Sequence, residues 1–104
     1  MAKEKSFNEK CYEILRRVPR GKVTTYGELA KAVESPRAAR AVGNAMNKNP
    51  YAPKVPCHRV VGSDGKLVGF ASGVDEKVKM LKKEGVEIVN GKVDLEKYFY
   101  SLKN

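Results

Sequence analysis

Apolar positions recur at helical spacing at the start of the chain. Phe7, Cys11, Ile14, Leu15 and Val18 form one stripe. Ser6 precedes it and Glu9 follows three residues later, the pattern of a capping box. Pro19 and Gly21 close that helix. Cys11 falls on the stripe and so reads as core, not chemistry. Val23-Thr24-Thr25 is short and β-prone. Thr25 and Glu28 make a second capping box, opening a helix with Leu29, Ala30 and Val33 inward. Ser35-Pro36 supplies an N-cap with proline at the first helical position, which predicts a helix over 36–47. Ala39, Val42 and Met46 form its inner side; Arg37, Arg40 and Asn44 line another.

Prolines 50, 53 and 56 then break the periodicity. Val60-Val61 has the character of a short buried strand, and Gly62 to Lys66 that of a turn. Leu67-Val68-Gly69-Phe70 is placed to pair back as a small hairpin. Ala71-Ser72-Gly73 is a small-residue loop that either admits a flat ligand or makes a tight connection. Val74, Val78 and Leu81 predict an amphipathic helix capped by Gly85, with Lys77, Lys79, Lys82 and Lys83 as a solvated basic face. Val86 to Val93 reads as a hairpin turning at Asn90-Gly91. A last helix over 94–100 packs through Leu95, Tyr98 and Phe99. The pattern predicts a mainly α protein with short β-hairpins, winged-helix-like, in one domain over 1–104 with no internal repeat.

Composition changes this picture in one respect. The chain carries 21 Lys+Arg against 12 Asp+Glu, a net charge of +9, which favours a polyanionic partner. No apolar run approaches the roughly 20 residues of a membrane span. Met1 to Lys10 is polar, without the pattern of a signal peptide. Two cysteines and one histidine make neither a disulfide framework nor a zinc site, so no metal is expected. The expected location is the cytoplasm, on the nucleoid, or the nucleus in a eukaryote.

Candidate chemistry concentrates at Pro56-Cys57-His58-Arg59-Val60, where the only histidine stands beside one of the two cysteines. A thiol is nucleophilic as thiolate, and an adjacent imidazole draws off its proton. The alternative is a buried cysteine with an incidental histidine. The two helices over 25–47 have the pattern of a helix-turn-helix, whose second helix usually lies against DNA. An ordinary helical hairpin with a solvated basic face has the same pattern.

Beyond these readings, the sequence closely resembles the C-terminal, active-site domain of the O6-alkylguanine-DNA alkyltransferases. The resemblance is carried by Gly21-Lys22-Val23-Thr24-Thr25-Tyr26-Gly27-Glu28-Leu29-Ala30, by Arg37-Ala38-Ala39-Arg40-Ala41-Val42-Gly43-Asn44-Ala45-Met46, by Asn49-Pro50 and by Pro56-Cys57-His58-Arg59-Val60-Val61. It continues through Gly69-Phe70-Ala71-Ser72-Gly73 and Leu81-Lys82-Lys83-Glu84-Gly85. It implies that Cys57 is nucleophile and alkyl acceptor, His58 its base through a water, and Glu84 the carboxylate that orients His58. Asn49 is implied to brace the turn before the site. Tyr26 is implied to push the adjacent phosphate and donate to the leaving guanine, and Arg40 to fill the gap left by an extruded base. Arg37, Ala39, Gly43 and Asn44 are the implied neighbours of DNA. Met46, Val60, Phe70, Ala71 and Ser72 are the implied base pocket. The partner is double-stranded DNA carrying O6-alkylguanine, held in the minor groove largely independently of sequence. No cofactor is implied, and the protein is expected to be a monomer.

Three departures stand beside the resemblance. The N-terminal domain of larger family members is absent, Phe70 replaces the usual tyrosine, and the tail over 85–95 resembles that of the short alkyltransferase-like proteins. Those proteins bind alkylated DNA without repairing it and flag the lesion for excision-repair proteins. Two functions are therefore carried forward: stoichiometric alkyl transfer to Cys57, and non-enzymatic lesion sensing.

Overall fold

A computed structural model describes residues 6–52, 54–67 and 73–102. It opens with α1 (Phe7–Leu15), where Ser6 Oγ accepts from the Glu9 amide at 3.2 Å. The Glu9 carboxylate does not reach back to its cap but accepts from the Tyr51 hydroxyl at 3.1 Å. Cys11, Tyr12 and Leu15 are buried; Val18 is buried too, although it lies beyond the helix end. β1 (Thr24–Thr25) runs into α2 (Tyr26–Ala32), and Thr25 Oγ1 caps it by accepting from the Glu28 amide at 3.0 Å.

The helix expected from position 36 begins later, as α3 (Ala39–Asn47). Glu34 turns left-handed (φ 61°), and Ser35 to Ala38 form a separate turn closed by Ala38 N–H to Ser35 O at 2.8 Å. The Ser-Pro start signal is thus used by a turn, and α3 has no side-chain cap. That later start also rotates Ala39 outward: it is exposed, and the inner side is Val42, Ala45 and Met46. α2 and α3 pack on each other and on α1, a helix-turn-helix braced by a third helix.

A single 3₁₀ turn, Cys57–Arg59, leads into β2 (Val60–Val61). Among the described residues its partner is an earlier strand: β2 pairs in parallel with β1, Thr24 opposite Val60 and Thr25 opposite Val61. The reason lies in burial: Val60 faces the core under the three helices, while Val61 and Val23 face a second core. A strand with both faces covered suits parallel pairing. Residues 68–70, expected to complete a hairpin, lie outside the described residues.

α4 (Val74–Lys83) supplies the second core with Leu81. Gly85 (φ 86°) ends it, with Gly85 N–H to Lys82 O and Val86 N–H to Leu81 O, both 3.0 Å, a Schellman closure. Two expectations for α4 fail. Val74 is 43% exposed, and Lys77 is fully buried instead of solvated. The apolar stripe is simply rotated, so that Lys77, Leu81 and Glu84 share the inward face. The hairpin of β3 (Ile88–Val89) and β4 (Lys92–Val93) turns at Asn90 (φ 54°) and Gly91 (φ 73°), the two left-handed residues that a type I′ turn requires. α5 (Leu95–Tyr98) follows, capped by Asp94, and it ends before Phe99, which is 37% exposed and not packed as expected.

The end of the chain ties the two cores together. Val23 N–H donates to Tyr98 O (2.9 Å) and Tyr100 N–H to Val23 O (2.7 Å), so the tail lies along β1. Leu102 then enters the first core, its amide held by Glu28 Oε2 at 2.7 Å. No helix among the described residues is long and apolar enough to cross a membrane.

Gly65 is where two backbones approach closely. Its φ is +86°, and a Cβ there meets Val93 O at 2.1 Å. Gly65→Ala is expected to lower the free energy of unfolding by about 2 kcal/mol or more, from left-handed strain plus the clash. Urea denaturation checks this, and an unchanged midpoint contradicts it.

Candidate functional site

The site begins with a turn that proline dictates. Pro56 cannot continue a helix, and the chain tightens into Cys57–Arg59, with Cys57 N–H bonded to Val55 O and Arg59 N–H to Pro56 O, both at 2.9 Å. Cys57 is 6% exposed and packs in the first core beside Met46 and Val60. His58 points the other way, toward α4, and is 2% exposed.

Glu84, at the C-terminal cap of α4, meets it there. His58 Nε2 lies 2.9 Å from Glu84 Oε2. Arg59 Nε donates to Oε1 at 2.9 Å and its terminal nitrogen to Oε2 at 2.7 Å, a two-pronged clamp. The other arm of Arg59 donates to Val18 O at 2.8 Å, linking the cluster to the end of α1. Burial alone pushes the Glu84 carboxyl up, but the hydrogen bonds from Arg59 and His58 outweigh it and hold it below the ordinary carboxylate value. An ionised Glu84 accepts, so Nε2 of His58 carries the proton and Nδ1 is left as the basic nitrogen on the opposite edge of the ring. Burial also holds His58 below its ordinary value, against the pull of Glu84. His58 is therefore neutral at neutral pH, the form a base needs.

Asn49 sits between α3 and this turn. Its Nδ2 donates to Val55 O at 2.9 Å, and its Oδ1 accepts from the Tyr51 amide at 2.9 Å. Both ends of the amide are used on backbone, so Asn49 ties the end of α3 to the residues just before Cys57. Tyr26, the first residue of α2, is half-buried, and burial together with Cys57 pushes its hydroxyl up to about 12. Arg37, Ala39, Arg40 and Asn44 are exposed around α3. Gly43 is half-buried, and a Cβ there meets nothing within 4 Å, so its smallness is not required by packing. Phe70, Ala71 and Ser72 lie outside the described residues. No group of three or more His, Cys, Asp or Glu among the described residues is placed to hold a metal ion. Cys11 lies deep in the first core, where burial pushes its thiol up to about 11 and keeps it inert.

Residues 6–86 match the family model for the DNA-binding domain of 6-O-methylguanine DNA methyltransferase. The chain belongs to this methyltransferase family. The matched span includes Tyr26, Arg40, Asn49, Cys57, His58 and Glu84. A methylated-DNA–protein-cysteine methyltransferase of Methanosarcina acetivorans is 52% identical over 79 residues, which is 76% of this chain and 51% of that enzyme. The methyltransferase-family chain spans about half the length, or less, of the curated relatives it matches. Mycobacterium tuberculosis OGT, solved in complex with DNA, superposes with a TM-score of 0.74 at 41% identity, covering 79% of this chain and 51% of that one. Schizosaccharomyces pombe Atl1, solved with damaged DNA containing O6-carboxymethylguanine, superposes with a TM-score of 0.84 at 34% identity. There the cover is 96% of this chain and 99% of that one.

Sequence reasoning assigned no role to Arg59 and placed Lys77 on a solvated face. Arg59 stood inside the Pro56–Val60 motif, and a guanidinium next to a histidine is a ready second donor to the same carboxylate. Lys77 stood seven positions before Glu84, hence on the same helix face, and that spacing was its signal.

The two shifted groups set the acid stability of this family member. His58 and Glu84 both bind protons more readily unfolded than folded. Stability is therefore expected to fall as pH drops below the unfolded histidine value, near 6.5, and again below the unfolded carboxylate value, near 4.5. Denaturant midpoints measured from pH 7 to pH 4 check this, and His58→Gln should remove the first decline while keeping the second.

Proposed function

We propose that this chain repairs O6-alkylguanine in duplex DNA by taking the alkyl group onto Cys57. The observation that carries the reading is the succession Cys57, His58, Glu84 seated directly beneath a helix-turn-helix. Cys57 gives its thiol proton to Nδ1 of His58, through a bridging water. The thiolate attacks the alkyl carbon, a C–S bond forms, and the C–O6 bond breaks with its electron pair on guanine. Guanine takes up a proton and leaves. The thioether is stable, so each molecule acts once, and the lesion itself supplies the group, with no cofactor.

The DNA-facing roles follow from the same placement. The exposed small residues of α3, Ala39 and the open edge at Gly43, suit a narrow groove, and Arg37, Arg40 and Asn44 supply polar contacts. A buried thiolate cannot reach a stacked base, so the base must be extruded, at a few kcal/mol. Arg40 fills the vacated space, and Tyr26 faces the phosphate and the leaving guanine. Met46, Val60 and residues 70–72 hold the base. The inclusion of Cys57 in the matched span supports reading this segment as the active-site domain. We further propose that it works as a monomer on cytoplasmic or nuclear DNA. Sensing without repair is the second reading. Its support is the match to Atl1 over nearly the whole of both chains, and excision-repair proteins are then the partners.

Incubation with one equivalent of duplex DNA carrying labelled O6-methylguanine decides between them. Transfer predicts one methyl per molecule on Cys57 by mass spectrometry. It also predicts that Cys57→Ser abolishes labelling while DNA affinity stays within about threefold. An unlabelled protein that still binds the lesion selectively is the sensor's result.

Arg40→Ala tests extrusion. Reaction with damaged duplex is expected to drop at least about tenfold, the effect of some 1.4 kcal/mol, while reaction with free O6-benzylguanine is unchanged. Equal slowing of both substrates removes Arg40 from the duplex.

A further inference from the structure

The segment between α3 and Cys57 is poor in backbone anchors. Pro50 and Pro56 have no amide hydrogen to give, and proline bars a helix there. Its path is therefore left to side chains. Asn49 closes the segment on itself, through Val55 O and the Tyr51 amide. Tyr51 fastens it to another element. Its side chain is 40% exposed, yet α1 engages it at the hydroxyl and at the ring. The hydroxyl donates to Glu9 Oε1 at 3.1 Å. The ring meets that of Tyr12 edge-on, with 5.6 Å between centres and 78° between planes. The Arg16 guanidinium lies 5.9 Å from the centre of the same ring. Glu9, Tyr12 and Arg16 stand at i, i+3 and i+7, so one face of α1 and its cap presents all three. Tyr12 carries the connection on, because its hydroxyl donates to Ala45 O of α3 at 2.8 Å in a buried bond. An unbroken chain of contacts results. It runs from Ala45 through Tyr12 to Tyr51, then through Asn49 and Val55 to Cys57, whose amide bonds Val55 O at 2.9 Å.

We propose that Tyr51 is a positioning residue for the reaction on duplex DNA, the pin that sets Cys57 at a fixed offset from α3. The inference rests on the alkyl-transfer reading and adds a residue to the same site. Tyr51 acts through the segment that carries the sulfur. A base extruded from a duplex held on α3 arrives at one place, so the sulfur must be fixed relative to that helix. Misplacing reacting groups by about 1 Å costs on the order of a hundredfold in rate. A free base has no such constraint, because it diffuses to the sulfur wherever the segment holds it. Asn49 gives the segment its shape, and Tyr51 gives it its place.

The test compares two substrates in the full chain, duplex DNA carrying O6-methylguanine and free O6-benzylguanine, by methyl or benzyl transfer to Cys57. The ratio of the duplex rate to the free-base rate is expected to fall about tenfold in Tyr51→Ala. Tyr51→Phe keeps the ring contacts with Tyr12 and Arg16 and should restore the ratio to within about threefold of wild type. A merely structural role lowers both rates alike, and an unchanged ratio in Tyr51→Ala overturns the proposal. Amide hydrogen exchange without DNA reads the pin by itself. The Val55 and Cys57 amides are expected to exchange about tenfold faster in Tyr51→Ala than in wild type, with Leu81 of α4 unchanged. Equal exchange at Val55 and Cys57 also overturns the proposal. If Leu81 loses protection too, the variant has unfolded. Glu9→Ala, which removes only the acceptor of the Tyr51 hydroxyl, then takes its place with an expected effect of about threefold on both readouts, and no effect overturns the proposal. If wild type takes no alkyl group from DNA, the repair reading fails, and the exchange rates decide whether Tyr51 pins the segment.

Discussion

The Glu84 carboxylate holds the candidate site and the architecture in one place. Two of its donors come from consecutive residues of one tight turn, His58 and Arg59, and Arg59 reaches on to the carbonyl of Val18. One side chain thereby joins the cap of α4, the turn bearing Cys57 and the exit of α1. A buried carboxylate is tolerable only with such donors around it, because its desolvation must be offset by charge-assisted hydrogen bonds. The same constraint fixes which edge of His58 is basic. Orientation of the base and docking of α4 are a single interaction.

The rest of the fold supplies what that interaction lacks. α4 reaches the turn only because the second core, built on Leu81, Val61 and Val86, seats it there. The turn itself belongs to the first core through Cys57 and Val60. β1 and β2 lie on the boundary between the cores, and the C-terminal segment straps both by pairing with Val23 and inserting Leu102. Asn49 fixes the approach from α3. α3 and the sulfur buried behind it are thus tied together by the Asn49 side chain, whose amide bonds backbone on both sides. On the proposed repair reading, the base would come to the sulfur.

Comparison with known proteins sets the chain beside both longer methyltransferases and the short Atl1. The chain matches about half the length of a methyltransferase with 76% of its own, and nearly the whole of Atl1 with nearly all of its own. The difference that matters is chemical and local. The repair proposal rests on a cysteine beside a neutral, carboxylate-oriented histidine. Binding a flipped base calls for shape and a few hydrogen bonds, whereas a nucleophile paired with a base serves a reaction.

The sequence by itself determined whatever short-range chemistry controls. Ser6, Thr25 and Asp94 cap helices because their side-chain oxygens reach amides two or three residues on. Asn90-Gly91 turns a hairpin because both residues tolerate positive φ. The Pro56–Val60 motif marked the tight turn that carries Cys57 and His58. Where two local signals competed, sequence misled: Ser35-Pro36 served a turn as readily as a helix start, and α3 began at Ala39 with its alanine facing out. Tertiary structure decided everything that needs a partner distant in the chain. Val60-Val61 paired with Thr24-Thr25 because both faces of that strand had cores to cover. Glu84 reached His58 because two cores seat α4 against the turn. Lys77, one lysine among several by composition, became a buried charge because packing, not polarity, chose which face of α4 turned inward.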